Sequence, residues 1–152
     1  MDTQSVALYG LTATATRVLR CVEDVSDDEA RRTPTNLSPI VWQLGHLAQS
    51  DGGFLQRGGV VSPAPASFAE LFKTGSGGSA IYPPLAEVRA VFEATQRELE
   101  KLARSADLTQ RVDARNYGTL GEMLVFAAYH RGYHVGKMTT LRALLGKPRL
   151  FG

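Results

Sequence analysis

The segment TLGEMLVFAAYHRGYHVGKMTTLRALLGK, from Thr119 to Lys147, constrains the fold more than any other. It is the longest unbroken helical pattern in the chain, and both of its ends are marked. Thr119 followed three residues later by Glu122 forms a capping box, in which hydroxyl and carboxylate each satisfy an orphan backbone N–H. Gly146 and then Pro148 supply the stop, because Gly accepts the left-handed conformation after a helix and Pro cannot continue one. Leu120, Met123, Ala127, His130, His134, Met138, Leu141 and Leu145 recur at spacings of three and four, so they share one face. Two imidazoles therefore fall on an apolar stripe, where each must be hydrogen-bonded or metal-bound to offset its lost hydration. Four residues apart, their Cβ atoms lie about 5–6 Å from each other, and both rings can reach one metal at about 2.0–2.1 Å. Two satisfied core histidines fit the pair alone equally well, so a metal reading requires a third ligand.

A chain of 152 residues can bury a sufficient core as one domain spanning 1–152 without disulfide or metal staples. Seventeen basic against fifteen acidic residues, a net charge of +2, leave no electrostatic footprint of a nucleic-acid partner. Cys21 is the single cysteine, which excludes an internal disulfide framework and fits a reducing compartment. No apolar run approaches the roughly 20 residues that span a bilayer, and MDTQSVAL lacks the basic and apolar regions of a signal peptide. The expectation is a cytoplasmic protein with no membrane partner.

Four helices emerge along the chain. Residues 4–24 place Leu8, Leu11, Ala15, Val18, Leu19 and Val22 on one stripe, with Cys21 at its edge as a small buried hydrophobe. Ser26 and Glu29 cap a single turn that Pro34 ends. Ser38 as N-cap and Pro39 at the first helical position open a second helix running to about Gln56. Its apolar arc comprises Ile40, Val41, Leu44, Leu47, Ala48, Phe54 and Leu55, and His46 lies at the edge of that arc. Gln43 and Ser50 share the side of His46, while Trp42 and Gln49 flank it. Such a strip suits the lining of a cavity as well as it suits rim packing. Residues 57–84 hold four of the seven prolines and form a long connection with at most one short turn, Ser67 to Phe72. Gly75, Gly77 and Gly78 within it lack the strand, the helix and the Lys of a phosphate-binding loop. Pro84 opens a third helix carrying Leu85, Val88, Phe92, Leu99 and Leu102, and residues 105–118 are a polar connection. The fold class is all-α, a four-helix bundle with a long connection between helices 2 and 3.

Bundle metal sites are built from inward side chains on facing helices, and His46, His130 and His134 can meet that way. Three neutral imidazoles leave a divalent cation with its full charge and an open position, the layout of a catalytic site. Such an ion lowers the pKa of bound water and deprotonates a coordinating thiol. Imidazoles suit Zn, Ni, Fe and Cu alike. Hydrolysis calls for a carboxylate base, yet Asp51 projects roughly 140° from His46 and Glu122 is committed to its cap. Thiol transfer is therefore favoured. Trp42, Gln43, Ser50 and Tyr133 are the candidates for substrate contact or for positioning the ligands, and no residue is assigned a catalytic role.

SPIVWQLGHLAQSD, FKTGSGGSAIYPPLAEVRAVFEA and YHRGYHVGKMTTLRALLGKP resemble the DinB/YfiT-like superfamily of small helical bundles, with W-x-L-G-H-L and H-x-x-x-H in the family's order. The resemblance implies that His46, His130 and His134 are a metal-binding triad. It also brings in divalent-metal-dependent transferases of low-molecular-weight thiols such as bacillithiol or mycothiol, and a mycothiol-dependent isomerase. The related domain of ergothioneine-forming iron enzymes continues its histidine pair with a Glu, where this chain has Gly136.

Two classes of function stay open. One is a metal-dependent S-transferase that joins a small thiol cosubstrate to an electrophile, using Zn, Ni or Fe. The other is a non-catalytic metal- or ligand-binding stress-response module, with a metal-dependent hydrolase as a further alternative. Opposite the histidines lie Ala128, Gly132, Gly136, Thr139 and Ala143, so the last helix is small or apolar almost all round except near Arg131, Lys137 and Arg142. This face is expected to pack on another helix, across a two-fold homodimer interface or within the bundle.

Overall fold

The computed structural model describes residues 1–77 and 80–151. Its helices are α1 (Thr3–Val22), α2 (Asp27–Arg31), α3 (Ile40–Arg57), α4 (Phe68–Leu71), α5 (Leu85–Ser105) and α6 (Leu120–Leu144). The four long ones form the expected all-α bundle, and α2 and α4 are the short turns anticipated around Ser26 and Ser67. Gly78 and Ser79, part of the glycine-rich stretch, lie outside the described residues.

Capping follows the sequence at α2 and α6. In both, the Ser26 or Thr119 hydroxyl accepts from the third helical N–H while Glu29 or Glu122 accepts from the cap's own N–H. At the far end of α6, Gly146 adopts φ +75°, and the N–H groups of Lys147 and Gly146 donate to the carbonyls of Arg142 and Ala143. That bond pair closes the helix as a Schellman motif, and only Gly takes its conformation without strain. α3 differs from expectation: Pro39 itself is the N-cap, and Ser38 makes no cap bond. The Ser38 carbonyl instead accepts from Gln43 Nε2 at 2.9 Å.

Around the bundle, α1 and α3 are diagonal, each packed between α5 and α6. The α1-to-α3 and α5-to-α6 connections cross the bundle, which explains their length. The buried apolar residues form two clusters. One contains Cys21, Ile40, Leu44, Phe72, Phe92, Met138 and Leu141; the other contains Leu11, Leu55, Leu99, Leu120, Met123 and Leu124. Between them, at the waist of every long helix except α1, sit the buried polar side chains His46, Asp51, Thr95, Gln96, Arg131 and His134.

Arg131 and Arg142 are the polar exceptions on the otherwise small or apolar last helix, and the structure gives them a place inside the bundle. Both are buried, at 0% and 2% exposure. Arg131 donates through Nε and Nη2 to Asp51 Oδ2 at 3.1 and 2.7 Å and through Nη1 to the Leu11 carbonyl at 3.0 Å and to Gln96 Oε1. Arg142 pairs with Asp24 and donates to the Cys21 carbonyl at 3.0 Å. Each guanidinium finds several acceptors, which is what makes a buried cation tolerable. Cys21 is fully buried, and burial pushes its thiol up to about 11, so it is inert packing. Among the described residues the expected covering of the small-residue face is partial: Ala128 packs on Gly10 of α1, where a Cβ would stand 3.1 Å from the Ala128 Cβ. Gly132 and Gly136 meet open space among the described residues, and Val125, Tyr129 and Tyr133 beside them are exposed.

Candidate metal centre

α3 brings His46, and α6 brings His130 and His134 from successive turns, to one point at the bundle's waist. His130 Nε2 lies 3.3 Å from His46 Nε2 and 3.2 Å from His134 Nε2. One ligand atom from each ring falls within 4.8 Å of the others, so the group can hold a metal ion. His46 and His134 are buried, and His130 is partly exposed.

The outer ring nitrogens decide which atoms face inward. His46 Nδ1 lies 2.7 Å from the Phe72 carbonyl, and His134 Nδ1 lies 2.6 Å from Gln43 Oε1. Both oxygens only accept, so both Nδ1 atoms carry the proton and both Nε2 lone pairs point to the common centre. His130 Nδ1 is buried and has no partner among the described residues. With its proton on Nδ1, three lone pairs abut; with its proton on Nε2, only one neighbouring lone pair receives a donor. No neutral arrangement of the three rings satisfies all three Nε2 atoms, whereas a cation accepts all three lone pairs at once.

Electrostatics agree. Burial lowers the pKa of His46 below its ordinary value, despite the opposing Phe72 bond. Burial, then the positive charge of neighbouring His46, Arg131 and Lys137, pushes His130 down to about 4. Burial, then His130, His46 and Lys137, pushes His134 down to about 3. At neutral pH all three rings are uncharged, the form that ligates metal.

Support comes from residues that sequence reasoning placed only partly. Trp42 stacks on His46 with centroids 4.8 Å apart and planes 7° from parallel, and its Nε1 donates to Ser76 Oγ at 3.1 Å. Gln43 lies behind His134, its amide fixed at both ends by His134 and Ser38. Ser50 lines the cleft that opens on the rings. Tyr133 is half exposed, its ring edge-on to His134 at 5.1 Å and under Lys137 Nζ at 4.3 Å. The Phe72 carbonyl was missed. It arrives on the long connection, and its position depends on Gly45, where a Cβ would stand 2.3 Å from the Phe72 ring. A glycine one residue before a candidate ligand, on the buried side of a helix, was the available signal.

A cleft of about 420 Å³ leads from the rings to the surface. Gln49, Ser50, Arg57, Thr74 and Asn116 give it polar walls, and Phe54, Tyr117 and Phe126 apolar ones. Asp51, the nearest carboxylate in sequence, is absent from this lining. It is fully buried against Arg131, and burial raises its pKa while Arg131 opposes the rise.

The family model of the DinB superfamily matches residues 11–138. The chain belongs to the DinB superfamily. The matched span contains all three histidines and every long helix apart from the ends of α1 and α6. No curated protein matches the chain. Among the described residues of this DinB-superfamily protein, no helix is long and apolar enough to cross a membrane.

Proposed function

We propose that this DinB-superfamily protein is a divalent-metal-dependent transferase that joins a low-molecular-weight thiol to a small electrophile, with His46, His130 and His134 as the metal ligands. The observation that carries this reading is the anchoring of His46 and His134 through Nδ1, which commits their Nε2 lone pairs to one centre. A divalent ion, when bound, supplies the Lewis acidity that lowers the pKa of a thiol. The chain's own residues hold the rings and exclude water from one side. Trp42 closes the far face of His46, and the α3 and α6 backbones fix the spacing. Among the described residues no carboxylate lines the cleft, which favours thiol transfer over hydrolysis, since hydrolysis calls for a neighbouring base. Zn, Ni and Fe all suit a three-imidazole donor set.

The test is a conjugation assay across a thiol panel with Zn-, Ni- or Fe-loaded protein. Turnover that disappears in His46→Ala supports the transferase; metal binding without turnover for any thiol replaces it with a binding module.

We also propose that the protein is a homodimer through the exposed face of α6. Gly132 and Gly136 leave room there for close helix approach, and Val125, Tyr129 and Tyr133 supply apolar area. Sedimentation at micromolar concentration should give twice the chain mass, and a monomer contradicts the assignment.

A further inference from the structure

Along α3, His46, Ser50, Gly53 and Arg57 are spaced by four, three and four residues, so they share one face, and all four line the cleft. Among the described residues lining the cleft, Arg57 is the only Arg, Lys, Asp or Glu. Among the described residues no carboxylate pairs with it, and Nη1 donates to the Gly53 carbonyl at 3.5 Å. That bond folds the side chain back along α3 towards the rings. Gly53 puts no side chain in the way, and a Cβ there would already lie 3.6 Å from Arg57 Nη1. The remaining guanidinium donors form a planar fork matched to a carboxylate. At 1.5 Å of rise per residue, the Gly53 backbone that holds the guanidinium lies about 10 Å along the helix axis from His46. Between these two points Phe54, Tyr117 and Phe126 offer apolar wall to a ligand body.

We infer that Arg57 is the specificity-determining residue of this cleft and selects a ligand carrying a carboxylate at one end, with the reacting atom at the histidines, about 10 Å along the helix axis from Gly53. The inference rests on the proposed function only in taking the histidines as the reacting centre. The carboxylate subsite exists with or without the metal.

The experiment measures binding of 4-phenylbutyrate and of its neutral primary amide to metal-free protein by calorimetry. The variants are Arg57→Gln and Arg57→Lys, both at an exposed position where folding is not at issue. Wild type should bind the acid about tenfold tighter than the amide, as a charge-assisted bond allows. Arg57→Gln should abolish the difference, and Arg57→Lys should keep part of it. Equal or absent binding of acid and amide by wild type overturns the inference, as does a preference that survives in Arg57→Gln. Because the protein is metal-free, failure of the metal reading shows separately, as an absence of stoichiometric Zn uptake by the same preparation.

Discussion

Gln43 Oε1 sits 2.6 Å from His134 Nδ1, while Gln43 Nε2 donates to the Ser38 carbonyl at 2.9 Å. The second bond fixes the orientation of the amide, so the first can only be N–H to O. A side chain from α3 thereby sets the tautomer of a ring on α6. Gln43→Leu removes that acceptor, and partners of this kind typically account for 10–100-fold in metal affinity. The expected result is a Zn dissociation constant about tenfold higher or more, with the helical circular dichroism unchanged. Gly45→Ala should act in the same direction on His46, because its Cβ would displace the Phe72 ring and carry the Phe72 carbonyl with it. Competition titration with a chromophoric chelator measures both.

The waist of the bundle has its own energetic consequence. Asp51 and Arg131 are both fully buried, so removing one leaves the other charge uncompensated in a low-dielectric interior. Asp51→Leu or Arg131→Leu should each cost about 3–5 kcal/mol in urea unfolding. The double variant should cost less than the sum of the two, since neither charge is then left alone. Strict additivity would mean that the pair is not coupled.

Acidification should destabilise metal-free protein over a defined range. Unfolded histidines take up protons near about pH 6.5, whereas folded His130 and His134 resist until about 4 and about 3. Between those limits the unfolded chain binds more protons than the folded one, so stability falls as pH drops from about 6.5 to about 3. Above that window the rings contribute no slope. Urea midpoints at several pH values should show a shallower fall in His134→Gln than in wild type, and equal slopes would contradict the assignment.

Much of this was legible in the sequence because the signals are local. The Thr119–Glu122 box, the Gly146 stop and the three-four spacing fix α6, and the spacing of His130 and His134 follows from them. Projection put His46 at the edge of the apolar arc of α3, from which it can turn inward. What could not be read depends on contacts between distant segments. Nothing in the pattern around Arg131 says that Asp51, 80 residues away, neutralises it. Periodicity therefore left a buried guanidinium as a bare polar exception on an apolar helix. The Phe72 carbonyl is a backbone atom in a proline- and glycine-rich connection, where side-chain identity says nothing about which oxygen accepts. Ser38 lost its expected cap role because Pro39, with extended backbone angles, takes the N-cap position itself.

Convergence of His46, His130 and His134 on one cation is tested most directly by elemental analysis of protein purified without an affinity tag, repeated after Zn loading. One divalent ion per chain is predicted, with the ion lost in each of His46→Ala, His130→Ala and His134→Ala while the helical fold persists. Protein that takes up no stoichiometric metal, or that keeps it undiminished in all three variants, would contradict the account.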